Sequence, residues 1–122
     1  MIGYATLGTN DLEKSKTFYD QVLAPLGAKR TFGFERMQFW GGPERGAMVA
    51  VCGPYDGQQA TPSNGGMLAL NAPSKAVVDQ VHAAALAAGA TCDGPPGQRL
   101  DNFYGAYFRD PDGNKICAFN GL

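Results

Sequence analysis

The stretch Tyr107-Phe108-Arg109-Asp110-Pro111-Asp112-Gly113-Asn114-Lys115-Ile116 determines how the C-terminal part of this sequence folds. An aromatic run leads into Asp-Pro-Asp-Gly, a composition typical of a tight turn stabilised by an Asx contact, and apolar residues follow. The stretch therefore predicts a β-hairpin. In this interpretation Asp110 and Asp112 build the turn and are not a catalytic acid and base pair.

The hairpin also fixes which side chains share a face. Closing it at the Asp-Pro-Asp-Gly turn places Tyr107 opposite Cys117 on one face. Phe108 and Ile116 then share the other face, which we expect to pack against a helix. A phenol and a thiol are thus predicted to lie side by side, away from the helix.

Outward from this hairpin, the sequence reads as two copies of one unit. A second hairpin is predicted from Phe39-Trp40 to Met48–Val51, and a helix precedes each hairpin. The first helix is expected from Leu12 to about Leu26, after a cap signal at Thr9-Asn10-Asp11, and the second starts after Pro73-Ser74. With the strand before each helix, each half becomes strand, helix and three strands, repeated at an offset of roughly sixty-two residues.

Length and composition restrict the classes of function. The 122 residues suit a single domain, residues 1–122, with module one at about 1–53 and module two at about 66–120. With 10 basic and 11 acidic residues, a net charge of −1 and no basic stripe, we expect no nucleic-acid or membrane partner. The N-terminus shows no secretory pattern, so we expect a cytoplasmic protein.

Cysteines, glycines and prolines indicate local structure rather than chemistry. Cys52, Cys92 and Cys117 are odd in number and lack Cys-x-x-Cys spacing, which predicts reduced thiols and no structural zinc site. Gly41-Gly42-Pro43 and Gly94-Pro95-Pro96-Gly97 are expected to form turns between strands.

Two stretches carry a family resemblance: Thr6 to Ser15 with Phe18-Tyr19, and Tyr107 to Ile116 with its Asp-Pro-Asp-Gly-Asn motif. A third, from Ala72 to Gly89, supports it. The sequence resembles the vicinal oxygen chelate superfamily, which includes glyoxalases, bleomycin resistance proteins and extradiol dioxygenases. The resemblance implies an α+β fold of two βαβββ modules, half-barrels around a cleft with the helices outside. In metal-dependent members, His or Glu residues on the first and last strands of each module hold a divalent ion.

The positions that match those ligands hold other residues here. Tyr4 and Met67 stand where relatives place histidines, Cys117 stands where they place a glutamate, and the fourth position falls near Ala50. A catalytic divalent ion needs three or four hard N or O ligands, so we expect no metal and no cofactor.

We therefore expect a metal-free cleft that binds a small, partly aromatic molecule. Strand alternation turns Ala5 and Leu7 towards a helix, and Tyr4 and Thr6 away from it. The expected walls of the cleft are Tyr4, Thr6, Met67, Tyr107, Cys117 and Phe119. Aromatic residues expected near them are Phe39, Trp40, Phe103, Tyr104, Tyr107 and Phe119.

Two enzymatic alternatives stay open. One is a metal-dependent lyase, isomerase or dioxygenase, for which Glu35 and Glu44 are the carboxylates near the first-module strands. The other is a metal-free enzyme that uses Cys117 with Tyr107 or Tyr4, with Arg109 or Lys115 lowering the pKa of the thiol.

Two further expectations concern surfaces. The single histidine, His82, is expected on the surface or in packing between helices, and not as a ligand or base. Exposed strand edges, together with the two-fold dimers common in the resembled superfamily, predict a homodimer.

Overall fold

The computed structural model describes all of residues 1–122 and shows the expected α+β architecture of two βαβββ modules. Module one contains β1 (Tyr4–Gly8), α1 (Leu12–Leu23), β2 (Lys29–Phe34), β3 (Met37–Gly41) and β4 (Met48–Cys52). Module two contains β5 (Leu68–Asn71), α2 (Lys75–Ala87), β6 (Thr91–Leu100), β7 (Phe103–Arg109) and β8 (Lys115–Gly121).

Each module forms its own four-stranded sheet, and no strand pairs across the two. The strand orders are β1-β4-β3-β2 and β5-β8-β7-β6, with the parallel pairs β1–β4 and β5–β8. Because the orders match, the first strand of each module is an edge strand. In the last hairpin Tyr107 pairs with Cys117 and Phe108 with Ile116, which is the register that the turn predicts.

The helices begin at the expected caps, but the first ends earlier than expected. The side chain of Asp11 accepts from the backbone N–H of Lys14, and that of Ser74 from Val77. The α-helix α1 stops at Leu23 and continues as a 3₁₀ turn over Ala24–Leu26, which contains Pro25. Proline lacks the N–H that α-helical bonding requires, so the expected end at Leu26 belongs to the tighter turn.

The stretch Gly94-Pro95-Pro96-Gly97 corrects an expectation, because it is not a turn. It lies inside β6, the edge strand of the second sheet, where the pairing with β7 shifts register between Cys92 and Leu100. An edge strand can contain proline since its outer side needs no N–H for a ladder, and bulges absorb the extra residues. β6 is therefore an irregular strand.

One hydrophobic core joins the modules. It is formed by α1, α2 and the side of each sheet that carries its helix, which we call the helix-facing side. Trp40 and Phe108 from the two sheets are 1% and 0% exposed, and the ring of Phe18 on α1 lies 6.4 Å from that of Phe108. Neither helix is long and apolar enough to cross a membrane.

The turn between β7 and β8 fastens the modules together through Asp110. This buried carboxylate accepts hydrogen bonds from the hydroxyl of Tyr19 on α1 at 2.6 Å and from the side-chain amide of Asn114 at 2.9 Å. It also accepts from the backbone N–H groups of Asp112 and Asn114. The amide of Asn114 reaches the carbonyl of Gly8 in module one. Asp110 is saturated with donors, as a structural turn requires.

Asp112 continues this fastening on the other side of the turn. Its carboxylate accepts from the hydroxyls of Thr9 (2.6 Å) and Ser15 (3.2 Å) and from the backbone N–H of Asn10 (2.9 Å). We call these contacts the inter-module clasp, formed by Asp110, Asp112 and Asn114 with Thr9, Asn10, Ser15 and Tyr19. The two stretches that carry the family resemblance therefore meet in the fold.

Candidate functional site

Each sheet has a second side, turned away from the helices, which we call the open face. Tyr4, Thr6 and Ala50 lie on the open face of module one, because β1 and β4 pair in parallel with Thr6 beside Ala50. Ala69 and Cys117 are the corresponding pair in module two. No helix of the chain covers these faces.

The open face of module one is aromatic and half exposed. The ring of Phe39 stacks on Phe32 with centroids 4.3 Å apart and meets Tyr4 edge-on at 5.2 Å. Tyr4 and Phe32 remain 56% and 53% exposed, whereas Ala50 beneath them is fully buried. This arrangement offers a flat apolar surface with one phenol at its rim.

The open face of module two combines aromatic rings with charged side chains. The irregular strand β6 places Arg99 over the ring of Tyr107. The distance from Cζ of Arg99 to the centroid of that ring is 5.5 Å. Lys115 Nζ lies 5.5 Å from the same centroid. Cys117 is fully buried on this face, and Phe103 stacks on Phe119 further along it at 5.2 Å.

Asp93 forms ion pairs with two of the basic residues of this face. Its carboxylate lies 3.0 Å from Nε of Arg109 and 3.5 Å from Nζ of Lys115. Partial loss of hydration acts to raise the pKa of Asp93, but the hydrogen bond from Arg109 and the charges of Lys115 and Arg109 leave that pKa below its ordinary value. Asp93 therefore stays charged and paired.

Cys117 is not prepared for nucleophilic attack. Burial raises the pKa of its thiol, and the opposite effects of Tyr107, Arg99 and Lys115 do not cancel that rise. Burial and the neighbouring thiol likewise raise the pKa of Tyr107, against Arg99. Both groups are neutral near pH 7, so Cys117 supplies no thiolate, and only the partly exposed Tyr107 can donate a hydrogen bond to a bound molecule.

Comparison with known proteins agrees with this geometry. A family model described as "Glyoxalase/Bleomycin resistance protein/Dioxygenase superfamily" matches residues 1–118. The chain belongs to this superfamily. A crystal structure of a glyoxalase/bleomycin resistance protein from Albidiferax ferrireducens T118 is 42% identical, with a TM-score of 0.91 over 100% of this chain and 99% of that one.

More distant superfamily members share the fold alone. A glyoxalase/bleomycin resistance protein/dioxygenase family enzyme from Burkholderia phytofirmans PsJN is 21% identical, with a TM-score of 0.77 over 98% of each chain. A lactoylglutathione lyase from Agrobacterium tumefaciens is also 21% identical, with a TM-score of 0.72 over 99% of this chain and 93% of that one. A search of curated proteins found no match.

The four positions that hold the metal ligands in metal-dependent superfamily members carry Tyr4, Ala50, Met67 and Cys117 in this chain. Ala50 pairs with Phe39 and Cys117 with Tyr107, so Ala50 and Cys117 hold equivalent hairpin positions in the two modules, as matching the hairpins predicts. Tyr4, Ala50, Met67 and Cys117 do not form a set of hard ligands, and no group of three His, Cys, Asp or Glu residues converges anywhere in the chain. The donor set does not fit a divalent ion.

Glu35 and Glu44 do not supply the missing ligands. Glu35 lies in the turn between β2 and β3, Glu44 lies in the loop between β3 and β4, and both are exposed. Neither joins a cluster of metal-ligating residues.

The six residues expected to wall a cleft are divided between the two modules. Thr6 and Met67 border one small cavity of about 220 Å³, together with Lys115. Tyr107 and Cys117 are neighbours within β7 and β8, but Tyr4, on the other sheet, contacts Phe39 instead. Met67 is 49% exposed. The single chain therefore presents one half-surface on each sheet, and the cavity bordered by Thr6, Met67 and Lys115 lies between the modules.

Two of the aromatic residues expected near the cleft lie on the helix-facing side. Trp40 donates its indole N–H to Asp20 on α1 at 2.9 Å, and the hydroxyl of Tyr104 donates to Asp79 on α2 at 2.7 Å. Strand alternation explains both corrections, since each residue directly follows one that points to the open face.

His82 is neither on the surface nor between helices. It is 6% exposed and lies between α2 and the second sheet, with Nε2 3.3 Å from Sγ of Cys92 and its ring edge-on to Phe108 at 6.5 Å. Burial lowers the pKa of His82, against a smaller raising effect of Asp79. It is a packed, neutral residue on the helix-facing side of the second sheet.

Phe32 and Arg99 are site residues that the sequence did not indicate. Both lie on edge strands with register shifts, β2 and β6, where strict alternation fails. Strand alternation therefore does not predict that either side chain lies on an open face.

Proposed function

We propose that this superfamily member binds a flat, partly aromatic small molecule on its open faces and needs no metal ion to do so. The observation that supports this best is the pair of half-exposed rings, Tyr4 and Phe32, held by the buried ring of Phe39 at centroid distances of 5.2 and 4.3 Å. Large aromatic side chains held by neighbouring rings, yet open to solvent, suit a flat apolar ligand.

The chemistry of the ligand positions supports the metal-free half of the proposal. Where metal-dependent relatives would use nitrogen or oxygen ligands, this chain presents a phenol, a methyl group, a thioether and a buried thiol. Met is a soft, weak ligand, and one thiol of raised pKa does not hold a divalent ion alone. Binding then depends on apolar contact and hydrogen bonds.

We further propose that the binding form is a homodimer. The edge strands β1 and β5 have an unpaired side each, and an apolar groove of about 460 Å³ lies between them, next to the 65% exposed Ile2. A two-fold partner would cover these edges and could bring an aromatic open face beside a charged one. Light scattering at micromolar concentration should give twice the chain mass, and a monomer mass would contradict the dimer.

A calorimetric titration with 2-naphthamide, a neutral flat aromatic amide, tests binding itself. We expect micromolar or weaker affinity for the wild type and a loss of about tenfold in Phe32→Ala, because that variant removes one ring of the exposed cluster. Leu86→Ala, on the solvent side of α2, is the matched control and should bind like the wild type. Equal binding by both variants would place the ligand elsewhere.

Elemental analysis and chelation test the absence of a metal requirement. We expect less than stoichiometric Zn, Ni, Mn or Fe in purified protein, and the same melting temperature and probe affinity with and without chelator. One metal per chain, with a chelator-sensitive melting temperature, would favour the metal-dependent lyase, isomerase or dioxygenase instead.

A further inference from the structure

Arg99 is a cation without an anionic partner on the open face of module two. The four ion pairs of the chain involve Lys16, Arg30, Arg109 and Lys115, and none includes Arg99. Its guanidinium instead lies over the Tyr107 ring and donates from Nη2 to the carbonyl of Pro95 at 2.5 Å. One carbonyl leaves most of the five N–H donors of an arginine free.

The backbone of β6 makes room for this guanidinium. A Cβ atom at Gly97 would lie 2.7 Å from Nη1 of Arg99, and one at Gly94 would lie 3.3 Å from Nη2. The two glycines thus form a notch that the arginine fills, between the strand and the ring of Tyr107. The position of the Arg99 side chain is therefore set by the carbonyl of Pro95, the ring of Tyr107 and the glycine notch. An ordinary surface arginine, by contrast, rotates freely.

The surroundings of Arg99 are positive overall. Lys115 lies at the same distance from the Tyr107 ring, and Asp93, which pairs with Lys115, is shared with Arg109. Three cations thus face one carboxylate.

We propose that Arg99, assisted by Lys115, binds the negative charge of an aromatic carboxylate ligand. This inference rests on the proposed function, because the aromatic body of such a ligand would use the apolar surface of the open faces. Its carboxylate would accept two parallel hydrogen bonds from the planar guanidinium, a geometry that Lys115 cannot offer alone. The neutral Tyr107 lies beside it as a further donor.

Two nearly isosteric probes test the charge: 2-naphthoate, which is anionic, and 2-naphthamide, which is neutral. For the wild type at low salt, calorimetry should show at least tenfold tighter binding of 2-naphthoate, and the preference should shrink in high salt. Arg99→Met should remove the preference while leaving 2-naphthamide binding within about twofold. Arg99→Lys should retain only part of it, because the fork geometry is lost.

Gly97→Ala tests the notch without changing any charge. The added methyl group would displace the guanidinium, which lies at the flexible end of its side chain, so the fold should persist while the preference for 2-naphthoate falls. Arg45→Met, in the exposed loop between β3 and β4, is the matched charge control and should keep the wild-type preference. Melting temperatures of all variants establish that each is folded.

Each contrary result of these titrations overturns a specific part of the proposal. Equal wild-type affinity for both probes overturns the carboxylate inference but leaves the proposed function standing. A preference that survives Arg99→Met and disappears in Lys115→Met overturns the role of Arg99, and one that also falls in Arg45→Met reflects net charge alone. If neither probe binds to the wild type, the proposed function and this inference both fail.

Discussion

The two sides of each sheet differ sharply, although they are built from alternate residues of the same strands. On the helix-facing side Trp40 and Phe108 are 1% and 0% exposed and belong to one core shared by both modules. On the open face Tyr4 and Phe32 are 56% and 53% exposed. The folding free energy therefore depends mainly on one side, so the other side can change its chemistry, including its metal ligands, while the fold is retained.

The strongest test of this comparison is Phe108→Ala. Removing a fully buried ring leaves a cavity in the shared core, and we expect unfolding free energy to fall by about 3–5 kcal/mol in urea denaturation. Phe32→Ala, on the open face, should cost far less because that ring is already half hydrated. Similar losses in the two variants would mean that the sides are not energetically distinct.

The next largest effect should come from breaking the inter-module clasp with Asp110→Ala. The variant leaves the hydroxyl of Tyr19 and the amide of Asn114 without their buried acceptor, which we expect to cost about 2–4 kcal/mol. Glu44→Ala, in the exposed loop of the other hairpin, should change stability by less than about 0.5 kcal/mol. A small effect of Asp110→Ala would show that the apolar core alone holds the modules together.

His82, on the same helix-facing side, should make folding stability depend on pH, with a smaller effect than the two substitutions above. Burial holds its pKa below 6.5 in the folded protein, so between that lowered value and 6.5 the unfolded chain binds more protons. Stability should therefore be constant from pH 8 to 7 and decline as the pH falls through about 6.5. The aspartates of lowered pKa, Asp20 and Asp93, act only at more acidic pH.

Because the chain has a single histidine, His82→Gln isolates this dependence. Urea denaturation from pH 8 to 5 should show that the decline is removed in the variant. An unchanged slope would mean that His82 is hydrated in the folded protein.

Much of the fold could be predicted from short-range patterns. The Asp-Pro-Asp-Gly turn fixed the register of β7 with β8, and the caps at Asp11 and Ser74 fixed the helix starts, because turn and cap chemistry is local. What failed depends on non-local structure. The prolines of Gly94-Pro95-Pro96-Gly97 suggest a turn unless the strand is known to be an edge, and edge position is a property of the whole sheet.

The candidate site was less predictable than the fold. Alternation correctly paired Tyr107 with Cys117, yet Arg99 lies above that pair only because β6 shifts register over several residues. The relation of Tyr4 to Tyr107 depends on how the two sheets are arranged and on any partner chain. Patterns of period two contain no information about either.

The smallest change in stability with a large change in binding should come from Tyr4→Ala. Tyr4 touches Phe39 edge-on and is more than half exposed, so its removal should cost about 1 kcal/mol or less. It forms the rim of the aromatic surface, however, and binding of 2-naphthamide should weaken by about tenfold in calorimetry. Tyr4→Phe keeps the ring and should bind like the wild type if apolar contact is what matters. If Tyr4→Phe loses as much affinity as Tyr4→Ala, the phenol hydroxyl is the binding group, and the open face of module one recognises a polar atom rather than a flat apolar body.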